Sequence, residues 1–557
     1  MSSSKTSPKN TSKRKKSTSK DSSAQKKSDD VLREEISNQE LDDASVKTGI
    51  WVLGDQLWAQ QAALASQESR RDKTPVIAIE STNWISQRRY HRQKLVLVWS
   101  AMRSFIGELK DAGWLATLAE AENFSEALIP WIREQKIERL LVMAPADRPF
   151  LKVIESLDLP CELSILPNNQ FLWTEEELLD WFSGRKRLLM EDFYRFSRKK
   201  WQILMDPDNP KDPLGDQWNF DKDNRKPPKK NLDPPEPKTF EPNANVQAVI
   251  DKINGLDCPL FGDIESFNWA TTRNQALEVL DAFLETRLRK FGPYQDAMVT
   301  GEDTMWHALL SPYINIGLLH PLDVIQKIEE AYKQDSDIPL NSVEGVIRQI
   351  LGWREYIRGI YCHALENVDE NYPESNWFDH QQPLPQWFWT GETKMNCLST
   401  VVNQVQRTGY AHHIQRLMIL GNFSLIAGFN PQEVEDWFHS VFIDSYDWVM
   451  QPNVLGMGIF ADGGLMASKP YAASANYVNK MSDYCKGCQY KPKEKVGEKA
   501  CPFNFFYWDF LSRHEDKLRS QGRMGLVLKH VEKMDAGNLK EIQSLAKNWH
   551  EDVANAH

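Results

Sequence analysis

Short apolar runs closed by turn residues open the folded part of this chain. Ile50-Trp51-Val52-Leu53, Val76-Ile77-Ala78-Ile79 and Leu140-Leu141-Val142-Met143 are continuous rather than alternating, the pattern of strands covered on both faces. Stretches with apolar residues at helical spacing lie between them, residues 94–109 for example. Strands alternating with helices predict an α/β domain over residues 49–180, built on a doubly wound parallel sheet. Such sheets take ligands beyond the carboxyl ends of their strands, where Gly54, Asp55 and Glu80 stand.

Nine prolines and many charges fill residues 206–242, so residues 181–242 read as an extended interdomain connector. Just before the prolines, residues 190–205 interleave rings and bases, including Phe193, Tyr194, Arg195, Phe196, Arg198, Lys199 and Trp201. Two uses fit this pattern: phosphate contacts to nucleic acid, or an amphipathic connecting helix with a solvated basic face. From residue 243 to 518 nearly every segment has helical periodicity broken by Gly and Pro, which predicts an all-α domain. Residues 519–557 read as a helical extension. Inside the all-α part, residues 410–420 with Phe423 place Leu417, Leu420 and Phe423 at helical spacing. That predicted helix carries His412 and His413, each one turn from Arg416. A nearby cation disfavours imidazolium and leaves neutral rings able to accept or donate a proton. A pair of core histidines is the plainer use of the same residues.

Composition narrows the compartment. The 557 residues include 41% hydrophobic side chains but no apolar run long enough to span a bilayer, which predicts a soluble protein that does not enter the membrane. Residues 1–28 hold nine Lys or Arg against one Asp, a local +8 that leaves about −19 for the rest of the formal −11. The Ser- and Lys-rich tail, residues 1–48, lacks apolar periodicity and is expected to be disordered, as a solvated extension or as a basic arm toward DNA. Seven cysteines, an odd number, without a secretory leader pattern predict a reducing compartment, the cytoplasm by default. Twenty tryptophans permit electron hopping between indoles as well as ordinary core packing.

Four of the cysteines have ligand character. Cys485-x-x-Cys488 is followed after twelve residues by Cys501-Pro502, and the close pair lets two thiolates grip one metal centre. Cys397 lies in the same helix-rich region and offers a fourth thiolate, whereas Cys161, Cys258 and Cys362 have no partner at ligand spacing. Zinc and an iron-sulfur cluster both suit four thiolates, the Cys-Pro pair leans toward the cluster, and a disulfide or buried thiols remain open.

A series of motifs then recurs in a familiar order: Phe291-Gly292 with Gln295-Asp296-Ala297-Met298, Leu310-Ser311-Pro312-Tyr313-Ile314-Asn315, Gly352-Trp353-Arg354-Glu355-Tyr356, the Tyr410 to Met418 stretch, and Phe460-Ala461-Asp462-Gly463-Gly464. With the four cysteines, this resembles the iron-sulfur bacterial branch of the photolyase and cryptochrome family, in particular the prokaryotic (6-4) photolyases, over residues 50–518. The resemblance implies an N-terminal α/β antenna domain, a helical domain binding FAD, and light-driven repair of (6-4) photoproducts in damaged DNA by a monomer. It implies a 4Fe-4S cluster on Cys397, Cys485, Cys488 and Cys501, and proton transfer by His412 and His413. It places Gln295 and Met298 at the flavin entrance, and Leu309, Leu310, Ser311 and Tyr313 along the pyrophosphate or adenine side. Trp353, Arg354, Tyr356 and Asn453 fall in the pocket, Trp389, Trp437 and Phe438 in an electron relay, and Arg195, Arg198, Lys199 and Tyr471 on DNA. Gly54, Asp55 and Glu80 match a site where some members hold 6,7-dimethyl-8-ribityllumazine.

The chain departs from the family pattern at Trp84 and Ala144-Pro145-Ala146 near that antenna site, at Phe438 where a Tyr is usual, and at Met450 where a Glu precedes the Pro-Asn pair. Tyr446 or Trp448 offers a substitute for the missing relay Tyr. A flavin-binding blue-light sensor without repair activity is the alternative that these departures imply.

Overall fold

A computed structural model describes residues 46–230, 232–521 and 523–555. All but the last three residues of the expected basic tail lie outside them. Five strands, β1 (Thr48–Trp51), β2 (Pro75–Ser81), β3 (Leu115–Ala121), β4 (Arg139–Met143) and β5 (Glu162–Leu166), form one sheet in the order β3-β2-β1-β4-β5. Every pairing is parallel, with Ile50 opposite Val76 on one side and Leu141 on the other. The strand order reverses at β1, the topology expected of a doubly wound sheet.

The continuous apolar runs are explained by what each face meets. Trp51, Leu53, Ile77, Ile79, Leu140 and Val142 pack on the helices Phe124–Gln135 and Arg148–Glu155. The alternate residues Ile50, Val52, Val76, Ala78, Leu141 and Met143 pack on the helix Arg92–Asp111. Each fully buried aliphatic side chain contributes roughly 1.5–3 kcal/mol, so a one-residue slip of β1, which exchanges the two faces, would lose the fit of both layers. The Arg92–Asp111 helix is also covered by the helical half, and its cluster runs on without a break through Val249, Tyr313 and Tyr356. The α/β and helical parts thus share one core.

His91 caps that helix and ties it to the helical half. Its Nδ1 accepts from the N–H of Gln93 at 3.1 Å, so Nε2 carries the hydrogen and donates to the carbonyls of Val405 and Gln406 at 3.0 and 3.1 Å. Only glycine fits at position 262, because a Cβ there would lie 2.1 Å from the His91 ring, and the backbone φ is +75°. Lys94 continues the join, its Nζ donating to the carbonyl and hydroxyl of Ser445 at 2.6 and 2.9 Å.

The expected connector is not uniformly extended. Its first part forms the helix Met190–Trp201, which packs on Arg348–Arg354 of the helical half. Residues 206–242 hold only one short helical turn among those described, Leu214–Asp216, and they wrap the helical half. The predicted helix over 410–420 also differs from expectation. Ala411 and His412 are non-helical, the helix starts at His413, and it is π-wound over Gln415–Gly421. Further π-wound segments cover Arg348–Arg354, Ala364–Val368 and Pro452–Gly458, and such segments concentrate at functional sites. Among the described residues no helix is long and apolar enough to cross a membrane.

Candidate functional site

The irregular residues just before the π-wound segment turn His412 inward. It is 1% exposed, and neither of its ring nitrogens has a hydrogen-bond partner. Its ring stacks on His307 at 4.5 Å with 14° between planes. His307 in turn meets the carbonyl of Gln295 through Nε2 at 3.1 Å. His413 lies beside them at the surface, its side chain 41% exposed and its Nε2 3.4 Å from Asp296 Oδ1. Burial holds His412 well below the usual imidazole range, helped in order by His307, His413 and Arg416. Burial does the same for His307, with His413 and Arg287 adding to it. The arrangement is two neutral imidazoles in the interior and a third at the solvent edge beside a carboxylate, which suits proton delivery to a molecule docked at that edge. Arginine is the weakest of the causes acting on His412, and burial, which the sequence pattern does not encode, is the largest.

His307 was not singled out from the sequence. It lies 105 positions before His412, and its only local signal is its place in Trp306-His307, directly ahead of the expected flavin segment Leu309-Leu310-Ser311.

Beneath the histidines, Arg416 grips Asp444 with two bonds, Nη1 to Oδ1 at 2.9 Å and Nη2 to Oδ2 at 3.1 Å, while its Nε holds the carbonyl of Ala411 at 2.6 Å. Burial opposes the Asp444 charge, but Arg416 and then Ser311 outweigh it and keep the carboxyl below its usual range. Ser311, expected on pyrophosphate, spends its hydroxyl proton on Asp444 at 2.7 Å. The pair therefore fixes the backbone that presents His412.

A cavity of about 310 Å³ opens beside this pair. Leu309, Tyr313, Trp269, Tyr410, Arg407 and the irregular residues 234–239 of the connector line it. Leu310 and Met298 are core residues, the latter fully buried. Trp353, Arg354 and Tyr356 do not line this cavity. Tyr356 packs on Phe182 and Phe193, while Arg354 pairs with Glu355 at 2.7 Å and lies over Phe171. Asn453 donates to the carbonyl of Val449 within its own helix. Several buried polar atoms in this half nevertheless lack any partner: Gln295 Oε1, Arg354 Nε and Nη2, Tyr356 OH and Gln451 Oε1. Unpartnered buried polar atoms are rare in a finished interior, and this set fits a large polar cofactor.

The four cysteines converge. Cys397 opens the helix Asn396–Thr408, Cys485 lies in the short helical turn Tyr484–Lys486 with Cys488 just after it, and Cys501 precedes the helix Pro502–Arg513. All four line one small enclosed cavity with Tyr484, Tyr490 and Phe503. None is in a disulfide, which removes that alternative. Burial, with neighbouring thiols adding to it, pushes Cys485 up to about 11 and Cys501 up to about 12, so a thiolate set here requires a metal centre. Among the described residues no three of these sulfurs lie within 4.8 Å of one another.

The remaining expected sites divide. Trp437 is buried and contacts Phe388, Phe438 and Phe442, whereas Trp389 contacts Phe261 and lies under Arg89, and no ring contact joins the two indoles. Arg195, Lys199 and Tyr471 are exposed. Arg198 is not: it is 1% exposed and donates to the carbonyls of Ile203, Leu204 and Trp218, so it binds the chain rather than DNA. Asp55 is pushed up to about 6 by burial, close to Gln56, whose Oε1 has no partner. Gly54 packs on Val98 and Met102. Glu80 has both oxygens taken, by Arg103 at 2.7 and 2.9 Å and by Lys252 at 2.8 Å, while Trp84 packs on Phe124 and Phe150.

Comparison with known proteins places this arrangement. Residues 50–269 match the family model described as deoxyribodipyrimidine photo-lyase-related protein. A (6-4) photolyase of Agrobacterium fabrum is 42% identical over 483 residues, covering 85% of this chain and 93% of the relative. An uncharacterized protein of Acanthamoeba polyphaga mimivirus is 40% identical over 109 residues, 20% of this chain and 81% of that protein. The fold is also that of a class III photolyase from Agrobacterium tumefaciens, with a TM-score of 0.54, 16% identity and coverage of 93% and 100%. A Synechocystis cryptochrome follows at 0.51, 15% identity and coverage of 74% and 83%.

Proposed function

This chain belongs to the photolyase and cryptochrome family, in its (6-4) photolyase branch, and from that premise we propose that it repairs (6-4) pyrimidine photoproducts in DNA under light. The observation that carries the reading is the histidine arrangement, with His413 at the solvent edge and the neutral His412 and His307 behind it. Damaged DNA docks over that edge, with Arg195, Lys199 and Tyr471 as its contacts, and the lesion flips out of the stack at low cost because it is already poorly paired. His413 delivers the proton that the returning hydroxyl group requires. His412 and His307 hold its place from behind, and Arg416 with Asp444 keeps the chain before His412 rigid. When bound, FAD supplies the light-driven electron, held by the partnerless polar atoms of Gln295, Arg354, Tyr356 and Gln451. Cys397, Cys485, Cys488 and Cys501 would hold a 4Fe-4S cluster that fastens the Asn396–Thr408 helix to the Pro502–Arg513 helix, and four unbridged cysteines accord with a reducing compartment such as the cytoplasm. Glu80 is saturated by two internal cations, so the residues present do not fit a lumazine at that position, and no step is assigned to one.

One observation favours a second reading. Met450 is 4% exposed in the helical core and supplies no carboxylate where the family pattern has one, so a flavin bound there would lack that charge's influence on its redox chemistry. Incubation of the purified protein with a (6-4)-containing oligonucleotide under blue light separates the two. Restored thymines establish repair; tight binding without turnover establishes the sensor.

A further inference from the structure

The three imidazoles at the candidate site converge on a point. One ring nitrogen from each of His307, His412 and His413 lies within 4.8 Å of the other two. His307 uses Nε2 on the Gln295 carbonyl, which puts the hydrogen there and leaves the Nδ1 lone pair free. This is how metal-binding histidines are oriented, one nitrogen donating to a carbonyl and the other facing the ion. His412 contributes a buried ring with no partner at either nitrogen, an expensive condition for a polar group unless something is meant to occupy it. His413 closes the mouth and stays open to solvent, and Asp296 stands 3.4 Å from its Nε2 as an outer carboxylate. Tetrahedral zinc with bonds of about 2.0–2.1 Å needs nitrogens about 3.4 Å apart, so the triad has to close by at most about 1.4 Å and the stacked pair has to tilt. His413, at the exposed end, has the freedom to make most of that move.

We propose that His307, His412 and His413 form a binding site for one divalent transition-metal ion of the zinc class, with a solvent-facing fourth position. Three neutral nitrogen donors and no hard oxygen among them select zinc or copper over magnesium. A bound ion takes the lone pairs that proton transfer uses, so occupation reversibly suppresses repair. That consequence rests on the repair reading, whereas the site itself rests on the three rings alone.

The test uses the holoprotein with flavin and cluster in place. Zinc calorimetry is expected to show one equivalent bound, with affinity reduced at least tenfold in His307→Phe, which preserves the stack, and in the surface variant His413→Ala. Copper(II) paramagnetic resonance is expected to show three nitrogen couplings in the wild type and two in each variant. Equal zinc affinity in wild type and both variants, or a copper spectrum without nitrogen couplings, overturns the site. Zinc bound at the triad while (6-4) repair runs at its full rate, unchanged by a chelator, overturns the suppression and leaves the site standing.

Discussion

Arg416 and Asp444 form a largely buried pair beneath the histidines. Their side chains are 18% and 8% exposed, and two parallel hydrogen bonds join them. Removing one partner of a buried pair costs about 3–5 kcal/mol because the other charge is left without compensation; the partial exposure of Arg416 brings the figure for Asp444→Asn to about 3 kcal/mol. The carbonyl of Ala411 depends on the same guanidinium, so the variant also loosens the chain at His412. Urea unfolding followed by tryptophan fluorescence gives the stability change, and single-turnover repair gives the functional one. An apolar replacement of both partners, Arg416→Met with Asp444→Leu, leaves no orphaned charge. It is expected to lose at least about 2 kcal/mol less than the sum of Arg416→Met and Asp444→Leu alone. Single variants within about 1 kcal/mol of the wild type, or losses that simply add, would refute the claim that this pair is a coupled unit supporting the site.

Other consequences are independent of that pair. Burial holds His91 at about 4 against an ordinary 6.5, so its uncharged form is the folded one. Its contribution is fully present above pH 6.5 and is lost as pH falls toward 4, a loss of about 2 kcal/mol between pH 7 and pH 5. His91→Gln is expected to flatten the pH dependence of unfolding over that interval, and an unchanged slope contradicts the assignment. Met450→Glu is expected to change flavin photoreduction kinetics, and identical rates in both proteins exclude a role for this position. Lys199→Ala is expected to weaken DNA binding and lower its salt slope by about one without affecting stability. Arg198→Ala should instead destabilise the fold by about 1–3 kcal/mol, because three buried carbonyls lose their donor.

The strands at the centre of the sheet were legible because both of their faces are buried, which writes a continuous apolar run. β3 and β5 at the edges carry no such run; Leu115 is 50% exposed, and edge strands alternate too weakly to stand out. The helix predicted over 410–420 starts only at His413, because Leu417, Leu420 and Phe423 keep helical spacing even where the winding is π, and periodicity does not report where the first turn begins. Charge alone puts Arg198 on DNA, whereas helical register puts it in the core. Phe193, Tyr194, Ser197 and Arg198 are the buried residues of one helix face, and that i, i+1, i+4, i+5 stripe was readable in advance. The ligand spacing of the cysteines carried their convergence, since a Cys-x-x-Cys pair has little freedom. His307 and Asp444 were invisible because their roles depend on contacts made across 105 and 28 residues, which no local pattern encodes.

The central claim is that His413 passes a proton to a lesion held at its edge. Single-turnover repair of a (6-4)-containing oligonucleotide by wild type and His413→Ala, both loaded with photoreduced flavin, tests it most directly. Loss of about 100-fold or more in the variant, with lesion binding and flavin photoreduction unchanged, is the predicted result. Repair at the wild-type rate by His413→Ala would contradict it.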